Sequence, residues 1–176
     1  MIKSELLAWL QTINFRVAII TLSDRASRGE YEDVSGKLLS ETLVDFFRQH
    51  ELRLETAYSL LPDESNTFRD CVKSYLQQGY HFVFTTGSTG IGPRDIAPDV
   101  IKSMLDKEIP GIMELIRVKY GTINPNAAIS RSLAGVAGQT LLYALPGSPK
   151  AVKEYMDEIL KSLLHCFMML NAVDGH

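Results

Sequence analysis

The chain has 176 residues, 45% of them hydrophobic and 22% charged, which suits one ordinary globular domain with a sizeable core. A formal net charge of −3 with Lys and Arg scattered along the chain offers no basic face, so nucleic acid is not an expected partner. No apolar run is long enough to cross a bilayer, and Glu5 interrupts the apolar N-terminal stretch, which carries no cleavage-site pattern; no membrane contact is expected, and the expected location is the cytoplasm.

Leu6, Leu7, Trp9, Leu10 and Ile13 recur at helical spacing and predict a short amphipathic helix in an N-terminal extension, residues 1–14, that caps either the core or an oligomer contact. Val17 to Leu22 is too continuously apolar for a strand with one wet face and predicts a mid-sheet parallel strand covered on both sides. Ser23 and Asp24 follow at its carboxyl end, where open α/β sheets place ligands, although the pair suits a plain turn equally well. Ser27 to Asp33 is polar, contains Gly29 and reads as a mobile loop; Leu38, Leu39, Leu43, Phe46 and Phe47 then form the core stripe of a helix starting near Ser35. Leu52 to Leu60 alternates as a half-exposed strand near a sheet edge should. Asp63 or Ser65 is placed to N-cap the next helix, marked by Phe68, Cys71, Val72, Tyr75 and Leu76 and ended by Gly79. Cys71 and Cys166 have no partner motif, which argues against a disulfide framework or a zinc site and for core thiols.

Phe82 to Phe84 reads as a buried strand that breaks into a loop holding Gly87, Gly90 and Gly92, after which Pro98 opens a helix. Glycines let backbone approach an anion closely, and loop amides and a helix start favour negative charge there, so the segment predicts a phosphate seat. Neither common glycine fingerprint fits, because no Lys follows the last Gly and no G-x-G-x-x-G register exists. Beyond it, a short helix through Ile101 and Met104 is interrupted at Glu108 to Gly111, and a further helix ends at Gly121. A turn at Asn124 to Asn126 leads to a short helix over Ala127 to Leu133 carrying Ser130 and Arg131. Ala134 to Leu145 predicts a hairpin ending at Pro146, Gly147 and Ser148, and a helix from Pro149 to about Leu170 closes the chain.

The run Thr85 to Gly90, followed by Gly92 to Asp95 and Ala97 to Asp99, resembles the signature of the MogA/MoaB family of molybdenum cofactor biosynthesis proteins, the molybdopterin adenylyltransferases, and MogA most. Thr21 to Arg25, Leu61 to Glu64 and Leu145 to Val152 agree in order and spacing, so the resemblance covers roughly residues 15 to 170. Gephyrin and plant molybdenum-cofactor proteins carry a similar domain. The resemblance implies a three-layer α/β/α sandwich with a mostly parallel central sheet, a single molybdopterin-binding domain over residues 15–176, and a homotrimer. Other molybdenum cofactor biosynthesis enzymes are further expected partners. It implies that the terminal phosphate of molybdopterin attacks the α-phosphate of Mg-ATP, giving adenylylated molybdopterin and pyrophosphate.

In that reading Asp63 and Asp95 hold or orient the metal, Thr86, Gly87, Ser88, Thr89 and Gly90 cradle the ligand phosphate, and Ser23, Asp24, Ser130, Arg131, Pro146, Gly147 and Ser148 line the pterin and nucleotide pockets. Ser130 and Arg131 read equally well as a helix-surface pair. The residue chemistry agrees: acids beside a phosphate seat need a cation between them, and Mg²⁺ binds through one or two carboxylates plus substrate phosphates. Nucleotidyl transfer then needs mainly positioning and charge neutralisation. No nucleophile is apparent, since the four His lie outside these loops. The family has two adjacent glycines where this chain has Gly87 and Ser88. A positive φ at Ser88 would cost about 1–2 kcal/mol unless its hydroxyl offsets it, so Ser88 either weakens binding or adds a donor to the phosphate. A non-catalytic molybdopterin binder or carrier is the competing class, because the retained Asp63 and Asp95 are what favour catalysis. A phosphate-ester hydrolase stands further off.

Overall fold

The unbroken apolar run of β1 (Asn14–Leu22) arises because each face of the strand meets its own core. Phe15, Val17 and Ile19 enter one core and Ala18, Ile20 and Leu22 the other, as the two-residue period of a strand requires. With β2 (Arg53–Leu61), β3 (Phe82–Thr86), β4 (Lys107–Glu108), β5 (Leu133–Ala137) and β6 (Thr140–Leu145) it forms a six-stranded sheet in the order β2-β1-β3-β6-β5-β4. The first four in that order run parallel, β5 runs antiparallel to β6, and β4 antiparallel to β5. The computed structural model describes residues 4–173, so residues 1–3 and 174–176, at the outer ends of the expected extension and domain, lie outside the described residues.

The helices are α1 (Ser4–Thr12), α2 (Asp24–Ser27), α3 (Val34–Gln49), α4 (Ser65–Gln77), α5 (Ala97–Lys102), α6 (Pro110–Gly121), α7 (Pro149–Ile159) and α8 (Leu163–Leu170). Residues of α1, α3, α6, α7 and α8 fill the core that contains Phe15, Phe82 and Tyr143, while α4 and α5 fill the core that contains Ile20, Val83 and Leu142. The result is the three-layer α/β/α sandwich with a mostly parallel sheet. α1 belongs to the first core: Leu10 is fully buried, which contributes about 1.5–3 kcal/mol, and Trp9 stacks on Phe167 at 5.9 Å.

Four local expectations are corrected. The expected helix over residues 127–133 is a 3₁₀ turn, Pro125–Ile129, followed by extended Ser130 (ψ 128°); the Arg131 N–H donates to the Thr89 carbonyl at 2.9 Å, which pulls the chain out of helix. The helix expected from Pro149 to Leu170 breaks at Leu160–Ser162 into α7 and α8. A straight helix of that length would run about 33 Å, well past a six-residue strand, and the bend returns Leu163 and Phe167 to the core. Asp63 and Ser65 do not cap α4, whose N-cap is Glu64 with no side-chain bond, because Asp63 turns toward Asp24 instead. At the Glu108 interruption lies an unanticipated edge strand, where Glu108 pairs with Gly135.

Candidate functional site

The four parallel strands deliver their carboxyl ends to one edge of the sheet, where the loops after β1, β2, β3 and β6 meet. A cavity of about 470 Å³ opens there. Ser23, Asp63, Thr86, Gly87, Ser88, Asp95 and Gly147 line it, so seven of the expected site residues share one space. Ser130, Pro146 and Ser148 border a second cavity of about 210 Å³ on the other side of the β6–α7 turn, together with Asn124, Lys150 and Tyr155. Asp24, Thr89, Gly90 and Arg131 line neither cavity and act on the loops behind them.

The glycine loop after β3 is held by an unusual number of its own contacts. Gly87 has φ +99°, and a Cβ there would sit 2.2 Å from the Leu22 carbonyl oxygen; a Cβ on Gly147 would in turn lie 3.0 Å from the Gly87 Cα. Only glycines let these two loops touch. Ser88 adopts φ +58°, the left-handed conformation that disfavours a side chain. Its hydroxyl donates to the Arg94 carbonyl at 2.9 Å and accepts the Ile96 N–H at 2.8 Å, while its carbonyl accepts the Ala97 N–H. The serine therefore braces the loop against the start of α5, and its hydroxyl is occupied by protein. The Thr86 hydroxyl is likewise engaged, donating to the Pro146 carbonyl at 2.8 Å. By contrast the N–H groups of Ser88, Thr89 and Gly90 meet no protein acceptor among the described residues. Backbone amides, more than hydroxyls, are what this loop has to offer an anion.

Arg131 anchors the same loop from behind. Its Nε donates to the Gly90 carbonyl at 2.7 Å, Nη2 to the Asp95 carbonyl at 2.5 Å, and Nη1 to both oxygens of Asp99. Ser130 meets Thr89 weakly at 3.4 Å. Asp95 Oδ2 accepts the Gly92 N–H at 2.7 Å, and a Cβ on Gly90 would crowd that oxygen at 2.7 Å.

On the opposite wall, Asp24 and Asp63 exchange bonds across two loops: the Asp24 N–H donates to Asp63 Oδ2 and the Asp63 N–H to Asp24 Oδ1, both at 3.0 Å. Arg94 clamps Asp24 through Nε and Nη2, which together with the Asp63 N–H holds the Asp24 carboxyl below the usual range. The remaining oxygens, Oδ1 of Asp63 and Oδ1 of Asp95, accept no hydrogen bond among the described residues. Ser23 caps α2 through its Oγ, which accepts the Ala26 N–H, and also meets the Tyr31 hydroxyl at 2.9 Å.

Tyr31, Glu32, Asp33, Ser35 and Arg94 also line the larger cavity, and reading the sequence assigned them no site role. Asp33 caps α3 by accepting the Gly36 N–H and accepts the Tyr58 hydroxyl at 2.5 Å; burial and that bond push the Tyr58 phenol up to about 12. Ser35 Oγ donates to the Gly147 carbonyl at 2.6 Å, tying α3 to the β6–α7 turn. The available signals were slight: a lone aromatic in a polar loop, and an Asp two residues before a Ser-Gly helix start.

Free amides, a helix start and acids gathered at the carboxyl edge of a parallel sheet define a class of protein, the α/β proteins that seat phosphorylated ligands at that edge. Comparison with known proteins narrows it. A family profile described as "Probable molybdopterin binding domain" matches residues 18–165. A protein of Helicobacter pylori strain J99 named molybdopterin adenylyltransferase is 34% identical over 158 residues, covering 89% of this chain and 87% of its own. The crystal structure of the molybdopterin biosynthesis enzyme MoaB from Thermus thermophilus superposes with a TM-score of 0.81 at 35% identity, over 92% of this chain and 99% of that one. A solved MogA structure gives 0.79 at 29% identity over 88% and 99%. The chain belongs to the MogA/MoaB family of molybdenum cofactor biosynthesis proteins.

Proposed function

We propose that the chain is a molybdopterin adenylyltransferase that transfers AMP from Mg-ATP to the terminal phosphate of molybdopterin. A phosphate oxygen of molybdopterin bonds to the α-phosphorus of ATP, the bond from that phosphorus to the bridging oxygen breaks, and pyrophosphate leaves. The observation that carries this reading is the meeting of Asp63 and Asp95 around one cavity that Ser88 also lines, beside the unpaired amides of the glycine loop. Phosphate oxygens suit the amides of Ser88, Thr89 and Gly90, and the two free Oδ1 atoms suit a cation beside them.

No group of three or more His, Cys, Asp or Glu is placed to hold a metal among the described residues, so a protein cage is not on offer. Mg²⁺ needs no such cage, since it binds through one or two carboxylates and completes its shell with phosphates and water. Asp63 and Asp95 would hold it, and its chemical contribution would be to neutralise charge on the transferring phosphate. The protein's own part is orientation: Arg131 and Ser88 fix the loop amides, and Gly147 and Ser148 set the turn between the two cavities. We assign the two substrates to these two neighbouring cavities. Ser23 and Ser130 contribute one hydroxyl to each.

We further propose one domain over residues 15–176, with the 1–14 extension adding α1, and a homotrimer in the cytoplasm working with other enzymes of the same pathway. The exposed apolar residues Leu115, Val118, Ile123 and Ile129 on and after α6 support a subunit contact. Among the described residues no helix is long and apolar enough to cross a membrane.

The test is incubation of the purified protein with molybdopterin and Mg-ATP, with mass spectrometry for the adenylylated product. Wild type is expected to form it, and Asp63→Asn and Asp95→Asn to lose about 10²–10³-fold in rate with melting temperatures nearly unchanged. Tight pterin binding without product would make the chain a carrier instead.

A further inference from the structure

Glu32, Asp33, Asp63 and Asp95 put four carboxylates around the larger cavity, and Arg94 is the single cation among its lining residues. A nucleotide adds the negative charge of its phosphates, more than one divalent cation offsets in such surroundings. Where Arg94 sits is therefore informative. Its Nη2 lies 2.7 Å from both oxygens of Asp24 and its Nε 3.1 Å from Oδ2. That engages one edge of the guanidinium fork, and Nη1 has no partner among the described residues. The main chain at the same residue is fixed by the Ser88 hydroxyl on its carbonyl. Asp24 itself is immobilised by the exchange of bonds with Asp63.

An ion pair in which the Arg94 side chain stays 61% exposed adds little to stability, so folding does not account for so closely tethered a clamp. A ligand does. We propose that Arg94 is the cationic clamp for the phosphate chain of the nucleotide, offering its free Nη1 to the pyrophosphate portion, and that Asp24 is the positioning residue that aims it. The inference rests on reading this cavity as the Mg-ATP site. A planar guanidinium matches phosphate oxygens, and one already held in place needs no reorganisation as charge builds on the oxygen bridging to the leaving pyrophosphate.

The experiment is calorimetric titration of the full chain with inorganic pyrophosphate in magnesium chloride and, separately, with AMP. Arg94→Gln is expected to weaken pyrophosphate about tenfold or more while AMP changes about twofold or less and the melting temperature holds. Asp24→Asn breaks the same pair but leaves the guanidinium, so it should weaken pyrophosphate less than Arg94→Gln does; equal losses would reduce Arg94 to a loop brace and overturn the proposal. Pyrophosphate affinity in Arg94→Gln within about twofold of wild type also overturns it, as does a parallel loss of AMP, which would report a collapsed loop. Should Arg94→Gln not fold, Arg94→Lys carries the same comparison, with a loss of about threefold expected because charge remains and the fork is gone. A wild-type chain that binds neither pyrophosphate nor Mg-ATP removes the nucleotide reading itself, whereas binding indifferent to Arg94 removes this inference alone.

Discussion

Two cavities of about 470 Å³ each sit at opposite ends of the sheet. At the carboxyl ends of the parallel strands the walls are loops, with φ +99° at Gly87, φ +58° at Ser88, four carboxylates and amides that meet no acceptor. At the amino ends the walls include Leu76, Tyr80, His81, Thr140, Phe167 and Asn171, and the side chains of His81, Thr140 and Asn171 bond to main chain. His81 Nδ1 accepts the Arg16 N–H, Thr140 Oγ1 donates to the Tyr80 carbonyl, and Asn171 Nδ2 donates to the Phe167 carbonyl. Rings of Phe15 and Phe167 pack edge-on against His81, and both also meet Phe82. Equal volume thus covers two kinds of wall: a serine at positive φ and unpaired main-chain donors at one end, aromatic contact and side chains bonded to main chain at the other. The first arrangement suits the proposed ligand site, and the second suits the packing of the fold.

The sharpest way to break that contrast is to damage each end and compare profiles. Phe167 is 2% exposed and touches three rings besides Trp9, so Phe167→Ala should cost about 3–4 kcal/mol by denaturant titration. Mg-ATP affinity of the molecules that remain folded should not move. Gly87→Ala should do the reverse. Its Cβ meets the Leu22 carbonyl oxygen at 2.2 Å, so the loop must shift, at a stability cost of about 1–3 kcal/mol, while nucleotide binding by calorimetry is lost. Equal binding losses in both variants would mean that the two ends are mechanically coupled.

A smaller effect separates strain from bonding inside the loop. Ser88→Ala keeps the positive φ and gives up both hydroxyl bonds, so a loss of about 1–2 kcal/mol is expected. Ser88→Gly gives up the same bonds but relieves about 1 kcal/mol of backbone cost, and should fall within about 0.5 kcal/mol of wild type. Denaturation midpoints in the order serine, glycine, alanine support the brace. Alanine matching serine would show that the hydroxyl bonds carry nothing, and alanine ranking above glycine that the positive φ carries no cost.

What the sequence revealed and what it concealed divide along the range of the interactions. β1, β3 and the glycine loop are local: an apolar run, an aromatic run and glycines in a row describe themselves. The four loop positions followed once those strands were read as parallel neighbours, and the resemblance supplied Asp63. Ser130 and Arg131 were misplaced on a helix because their conformation is set by Thr89, Gly90, Asp95 and Asp99, which lie 32 to 41 residues away in sequence. Asp63 looked like a cap because its partner Asp24 is 39 residues distant. The two-residue β4 exists only through pairing with β5, and the break between α7 and α8 answers to the length of the sheet beneath it. Arg94 stood in plain view within the motif, but its clamp on Asp24 spans 70 residues and left no periodic trace.

The subtlest difference between the two ends is their response to acid, and His81 sets it at the amino end. Burial first, and then the Arg16 cation, hold its imidazole below the ordinary value of 6.5. Between that lowered value and 6.5 the unfolded chain binds a proton that the folded chain refuses, so stability rises with pH across the window. The contribution is complete above 6.5 and declines as pH falls toward the folded value, with a slope of at most about 1.4 kcal/mol per pH unit. His81→Asn retains an acceptor for the Arg16 N–H but does not titrate. Its urea midpoint should therefore change less than that of wild type between pH 7 and pH 5, although it is somewhat lower at pH 7. Mg-ATP affinity should follow one pH profile in both proteins, because His81 lines the opposite cavity. Identical stability profiles would mean that the imidazole is as well hydrated folded as unfolded, and a diverging affinity profile would show the amino end acting on the site.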